Sequence, residues 1–88
     1  MFHDTLIVTD VNWIAFTEIT EPIRATAKHR YRALEAACTV YPPDYKTEAE
    51  GQIKVVFDEP QRAMTPGQAL VIYDGDIVIG GGTIMAVY

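Results

Sequence analysis

Adjacent carboxylates at Asp58 and Glu59, a second acidic pair at Asp74 and Asp76, and the soft donors His3, His29 and Cys38 are the first candidates for metal or acid–base chemistry. Neighbours in an extended chain point to opposite faces, so Asp58 and Glu59 do not converge on one substrate. With Pro60 behind them they read as a strand end entering a turn. Asp74 and Asp76 flank Gly75, where a hairpin turn explains both, and a calcium site needs about six to eight oxygen ligands. His3, His29 and Cys38 fall short of the usual set of about four for structural zinc. Cys38 reads as a buried structural thiol, because a strand reading sets it on a different run from His29 with no oxyanion loop nearby. The run Gly80-Gly81-Gly82 invites a phosphate-loop reading. Such loops feed a helix, whereas Thr83-Ile84-Met85-Ala86-Val87 follows a strand pattern, so the glycines predict a bulge or a close backbone approach. Packing against another domain is a second use for them. Trp13 reads as core rather than as a base-stacking platform. No nucleophile, base and oxyanion set emerges, so no catalytic residue and no metal ligand is assigned.

The basic residues are more telling. Arg24, Lys28, Arg30 and Arg32 fall within residues 22–32, which hold no Asp or Glu and so carry +4. The remaining three basic and 12 acidic residues leave −9 on the rest, for a net charge of −5. An acidic whole argues against a general nucleic-acid binder, but a concentrated basic stripe is compatible with a local phosphate contact. A solvated face paired with nearby acids accounts for the same pattern.

The elements that must position these residues divide at the Pro42-Pro43 pair. Beyond it, Gly51, Pro60, Pro66-Gly67, Gly75 and the glycine run punctuate short apolar runs at 53–57, 69–73, 77–79 and 83–87. These are rich in Val, Ile, Phe and Tyr, and predict an antiparallel β-meander. Asp74-Gly75 predicts a type I′ hairpin turn, and Pro66-Gly67 suits the centre of a type II turn. Before it, Leu6-Ile7-Val8 reads as a strand. Residues 22–38 are ambiguous. Ile23, Ala27, Tyr31, Leu34 and Cys38 recur at near-helical spacing, and propensity alone leans towards helix. As a strand, the segment would place Ile23, Ala25, Ala27, His29 and Tyr31 on one face and Arg24, Thr26, Lys28, Arg30 and Arg32 on the other. A helix stacks three of the four basic residues; a strand aligns all four.

A chain of 88 residues, 49% hydrophobic and 22% charged, is the size of one small globular domain. Folding it buries about two thirds of its surface, enough for one core, which rules out a cofactor domain beside a substrate domain. The longest uncharged stretch, residues 77–88, is too short to span a membrane. A lone cysteine forms no internal disulfide and fits a reducing, intracellular setting, and Met1-Phe2-His3-Asp4 does not open a secretory signal.

Several phrases are distinctive together: Asp10-Val11-Asn12-Trp13, Arg30-Tyr31-Arg32, Cys38-Thr39-Val40, Val56-Phe57-Asp58-Glu59-Pro60, Ala63-Met64-Thr65-Pro66-Gly67-Gln68, Tyr73-Asp74-Gly75 and Gly80-Gly81-Gly82-Thr83-Ile84. Their order and spacing resemble the C-terminal domain of the tRNA-specific 2-thiouridylases, over nearly the whole chain. The resemblance implies an all-β fold, a small antiparallel β-barrel resembling the second domain of translation elongation factors, and so favours strand for residues 22–32. It implies a single domain, residues 1–88, from the C-terminal part of a larger cytoplasmic tRNA-modifying enzyme, with Met1 not the natural start. The parent would use ATP and magnesium to adenylate the wobble uridine, and sulfur from a persulfide on a carrier protein would replace the oxygen. The nucleotide loop and reactive cysteines of that family lie in its catalytic domain, and Cys38 inherits neither role. This chain would bring no cofactor and no membrane contact, but would help to hold tRNA. The candidate RNA-binding residues are Arg24, Lys28, Arg30 and Arg32, named from charge and alternation rather than from the family motif. The alternative is a structural module that packs on the parent's catalytic domain and barely touches RNA.

Overall fold

The structure, a computed structural model, describes residues 2–15, 19–29, 35–42 and 52–88. Six strands form its regular structure: β1 (Phe2–Trp13), β2 (Ile23–Lys28), β3 (Ala36–Tyr41), β4 (Ile53–Arg62), β5 (Ala69–Asp74) and β6 (Ile77–Val87). They close into an antiparallel barrel in the order β1-β4-β3-β2-β5-β6. Closure removes the unpaired edges that an open sheet of this size would expose.

Period-two alternation decides the ambiguous segment. In β2, Ala27 is buried and Arg24 exposed, and Ala25 pairs with Cys38 while Arg24 pairs with Thr39. Helical propensity loses to cross-strand pairing because only a strand turns Ala27 into the core with Ala25 packed against it and still pairs with both β3 and β5. The core gathers inward-facing residues from every strand, among them Leu6, Val8, Ala27, Cys38, Val40, Val55, Phe57, Leu70, Ile72 and Ile84.

Three sequence expectations are corrected. First, the second half is not a continuous meander: β4 pairs with β1 and β3, whereas β5 pairs with β2 and β6. The sequential meander is β2-β3-β4, and the connection from β4 to β5 crosses the barrel end. Second, Asp58-Glu59-Pro60 does not end its strand. His3 pairs with Gln61 and Thr5 with Val56, so one residue of β1 faces four of β4, and the acidic pair with Pro60 rides on that bulge. A bulge is where a sheet tolerates proline, which has no ladder N–H to give. Third, Asp74 pairs with Ile77, so the hairpin loop is Gly75-Asp76 rather than Asp74-Gly75. Only Gly75 is left-handed (φ 62°), the pattern of a type II′ turn with glycine at its first central position.

The Pro66-Gly67 turn forms as the sequence predicts, with Gly67 at φ 94° and the Gln68 amide donating to the Thr65 carbonyl at 3.3 Å. Gln68 does more than complete it. Its side-chain Oε1 accepts from the Thr65 amide at 3.2 Å, and its Nε2 donates to the Ala63 carbonyl at 3.3 Å. The backbone of the turn is fastened to β6 by two bonds of 2.8 Å, Gly67 N–H to the Ile84 carbonyl and Ile84 N–H to the Gln68 carbonyl. Met64 plugs the core beneath it.

The glycine run lies inside β6, where neighbouring chain approaches closely. A Cβ on Gly81 would sit 2.5 Å from the Leu70 carbonyl oxygen, and one on Gly82 would sit 2.7 Å from the Thr9 carbonyl oxygen. A Cβ on Gly80 would meet the Trp13 ring at 2.6 Å, and Trp13 itself packs against the core. The run is a close backbone approach within a strand, as its flanking sequence predicts.

Candidate nucleic-acid interface

Alternation in β2 sends Arg24, Thr26 and Lys28 to the outer surface of the barrel. Two of the four predicted RNA-binding residues are therefore placed on one outward row. Arg30 and Arg32 lie outside the described residues, as does the rest of 30–34.

Arg24 is already engaged. Its Nη1 donates to Asp58 Oδ1 at 2.7 Å and its Nη2 to Asp58 Oδ2 at 2.6 Å, a bidentate pair. Nη1 also donates to Thr39 Oγ1 at 2.8 Å, so the guanidinium spans β2, β3 and β4. The pair is solvated, with the Arg24 and Asp58 side chains 61% and 47% exposed. The hydrogen bonds from Arg24 hold the Asp58 carboxyl below the usual carboxylate range and raise the already high arginine pKa. Beside this pair lies a depression of about 320 Å³ lined by Glu35, Ala36, Ala37, Asp58, Glu59 and Gln61. Its three carboxylates would repel a phosphate.

Lys28 stands at the other end of the row. Its Nζ lies 5.6 Å from the centre of the Tyr73 ring on β5, a diagonal contact, since Lys28 pairs directly with Val71. Lys54 over Tyr41 (4.9 Å) and Arg62 over Phe2 (5.8 Å) repeat the arrangement across directly opposed positions. A cation resting on a ring keeps its charge and most of its solvent, so Lys28 stays open to an anion where Arg24 is shared with a carboxylate.

The sequence did not reveal Asp58 as the partner of Arg24. The two are 34 positions apart and on strands separated by β3, and no local pattern encodes that meeting. Cys38 faces the core directly under this surface. Burial pushes its thiol up to about 11, against a smaller opposing pull from Arg24, so it is neutral and inert at ordinary pH. No cluster of three or more His, Cys, Asp or Glu side chains that would hold a metal occurs among the described residues. No helix among them is long and apolar enough to cross a membrane.

Residues 3–84 match the family model of the aminomethyltransferase beta-barrel domain. The chain belongs to that family. It is 54% identical over 83 residues to the tRNA-specific 2-thiouridylase MnmA of Symbiobacterium thermophilum, covering 94% of this chain and 20% of the relative. With the tRNA-specific 2-thiouridylase MnmA of Halothermothrix orenii the figures are 45% over 84 residues, 96% and 22%. With that of Halalkalibacterium halodurans they are 49% over 84 residues, 96% and 21%. The chain thus spans about a fifth of the length of the curated relatives it matches.

Proposed function

We propose that this barrel is the C-terminal accessory domain of a cytoplasmic, ATP-dependent tRNA-specific 2-thiouridylase, and that it helps to hold tRNA while the catalytic part thiolates the wobble uridine. The observation that carries the reading is the 54% identity across 94% of this chain to a protein named for that activity. ATP, magnesium and the sulfur-carrier protein belong to the rest of such an enzyme. Within this chain, the phosphate contacts are assigned to Lys28, Arg30 and Arg32. The Arg24 end is closed off, because Asp58 neutralises Arg24 and the adjoining depression is acidic. Phosphate binding of this kind is sequence-independent and salt-sensitive, so it positions the tRNA and leaves selection to other parts of the enzyme.

The test is thiolation by the full-length polypeptide with tRNA, ATP, magnesium and a sulfur donor, read by mobility shift of thiolated tRNA. Replacing Lys28, Arg30 and Arg32 together by Ala should raise the tRNA concentration for half-maximal rate while leaving the saturated rate near wild type. An unchanged concentration dependence overturns the tRNA-holding role.

A second reading is a module that packs on the parent's catalytic part with little RNA contact. It is favoured by apolar side chains left in solvent at one end of the barrel: Ile14 and Ile77, each 66% exposed, and Val78 at 37%.

A further inference from the structure

Two phrases far apart in sequence, Asp10-Val11-Asn12-Trp13 and Gly80-Gly81-Gly82-Thr83, meet at one open groove of about 340 Å³. Its floor is the glycine backbone of β6, which the close approaches of Leu70, Thr9 and Trp13 keep free of side chains. Its walls are Ile14, Val71 and Val78. Gly80 and Gly81 are paired on both sides, with Trp13 and Asn12 of β1 and with Ile72 and Val71 of β5, and only Gly82 faces the bulge without a β1 partner, so the floor offers no run of ladder bonds to an added strand. Recognition must come from side chains. The polar groups at the rim are Asp10, Asn12 and Thr83. Asp10 sits at the bulge where β1 shifts register against β6, and it is held in the left-handed region at φ 53°. A non-glycine residue held there costs about 1 kcal/mol or more.

Internal packing explains Trp13 and the three glycines. It does not explain the exposed Ile14 and Val78, or the adjoining Ile77. A small monomeric domain scatters single apolar residues over its surface, whereas a contiguous group around a side-chain-free floor marks a covered face. The matched relatives are about five times longer than this chain, so most of such a polypeptide lies outside it.

We propose that this groove seats an apolar segment, carrying a basic residue opposite Asp10, from the remainder of the longer polypeptide. The proposal rests on the packing-module reading and names its contact surface. Ile14 and Val78 grip the segment's apolar side chains, the glycine floor lets them approach the backbone, and Asp10 fixes their register through a charge-assisted bond. RNA is a poor occupant, since the rim contributes a carboxylate and no cation.

Hydroxyl-radical footprinting of the full-length polypeptide tests this, with the Ile14→Glu variant alongside. In the wild type, Ile14, Ile77 and Val78 should react several-fold more slowly than their exposure in the barrel dictates. Phe2 and Tyr88, which are 61% and 67% exposed and lie at the start of β1 and beyond the end of β6, serve as references. In Ile14→Glu, the reactivity of Ile77 and Val78 should rise towards that of the references, with the thermal midpoint of the barrel unchanged. Protection at Phe2 and Tyr88 instead, with the groove reactive, overturns the groove and keeps the packing-module reading. Full reactivity at both ends overturns both. Groove protection that grows with protein concentration points to a second copy, and protection that needs added tRNA points to RNA; either result overturns the proposed occupant.

Discussion

The glycine run of β6 and the Thr65–Gln68 turn differ from the face formed by β2, β3 and β4. At the first, each distinctive residue answers to an internal demand. Gly81 and Gly82 admit neighbouring backbone, Gly67 supplies a left-handed φ, and Gln68 fastens Ala63 and Thr65. At the second, what the outward charged residues do depends on what lies across from them. Arg24 and Lys28 share a row, yet one is bound to a carboxylate and the other rests on a ring. Distinctive phrases thus serve both regions: Thr65-Pro66-Gly67-Gln68 and the glycine run answer to backbone demands, whereas Asp58 within Asp58-Glu59-Pro60 answers to a charge two strands away.

The largest predicted effect breaks the glycine run. Gly81→Val drives its side chain into the Leu70 carbonyl, where the added Cβ alone would stand at 2.5 Å. Backbone cannot step aside as a flexible side chain does, so a destabilisation of about 3 kcal/mol or more is expected, read as a collapse of the thermal unfolding transition. A transition at the wild-type temperature would mean that the wall is loose there.

Next comes the underside of the charged face. With its thiol pushed up to about 11, Cys38 should alkylate at pH 8 at least about a hundredfold more slowly than a free thiol, and at the free rate once the chain is unfolded in urea. The sign of the linked stability follows. The folded state holds this proton more tightly than the unfolded state, so the contribution is complete below the unfolded value and fades as pH rises towards about 11. A Cys38 that reacts freely in the folded protein would show that the β2–β3 wall opens, and the face could not then hold a fixed row of charges.

Gln68→Ala removes two side-chain bonds at the turn and should cost about 1 kcal/mol, with no effect on tRNA affinity. A change in affinity would blur the division between scaffold and interface.

Asp58→Asn makes the smallest change. It frees Arg24, and tRNA affinity of the full-length protein should tighten by about twofold at low salt. In the wild type, the Asp58 carboxyl should titrate below the usual carboxylate range, and Arg24→Gln should return it there. The pairing is thus present above the usual aspartate range and breaks only as pH falls through the lowered value. A carboxyl titrating normally in the wild type would contradict the bidentate bond.

Much of the barrel was legible because its signals are local. Alternation at Ile53, Val55 and Phe57, the Pro66-Gly67 turn and the glycine run each act within a few residues. Of the ambiguous residues 22–38, 23–28 and 36–38 were settled by strand pairing, because alanine and arginine fit a helix as readily as a strand when read alone, and 30–34 lie outside the described residues. The hairpin loop lies one residue later than the Asp-Gly signal places it, because the pairing of β5 with β6, including a bulge between Ile72 and Tyr73, sets the register, and neither leaves a composition signal. The acidic pair at Asp58 and Glu59 looked like a strand end for the same reason. The basic stripe was visible as charge, but the capture of Arg24 was not, since its partner arrives from two strands away.

The proposed function assigns the hold on tRNA to Lys28, Arg30 and Arg32. Titrating labelled tRNA into the full-length protein over a series of salt concentrations tests it most directly, with those three residues replaced together by Ala. The variant should bind more weakly, with a salt slope shallower by about 0.7–0.9 for each phosphate that it no longer neutralises. An affinity and slope indistinguishable from wild type would contradict that assignment.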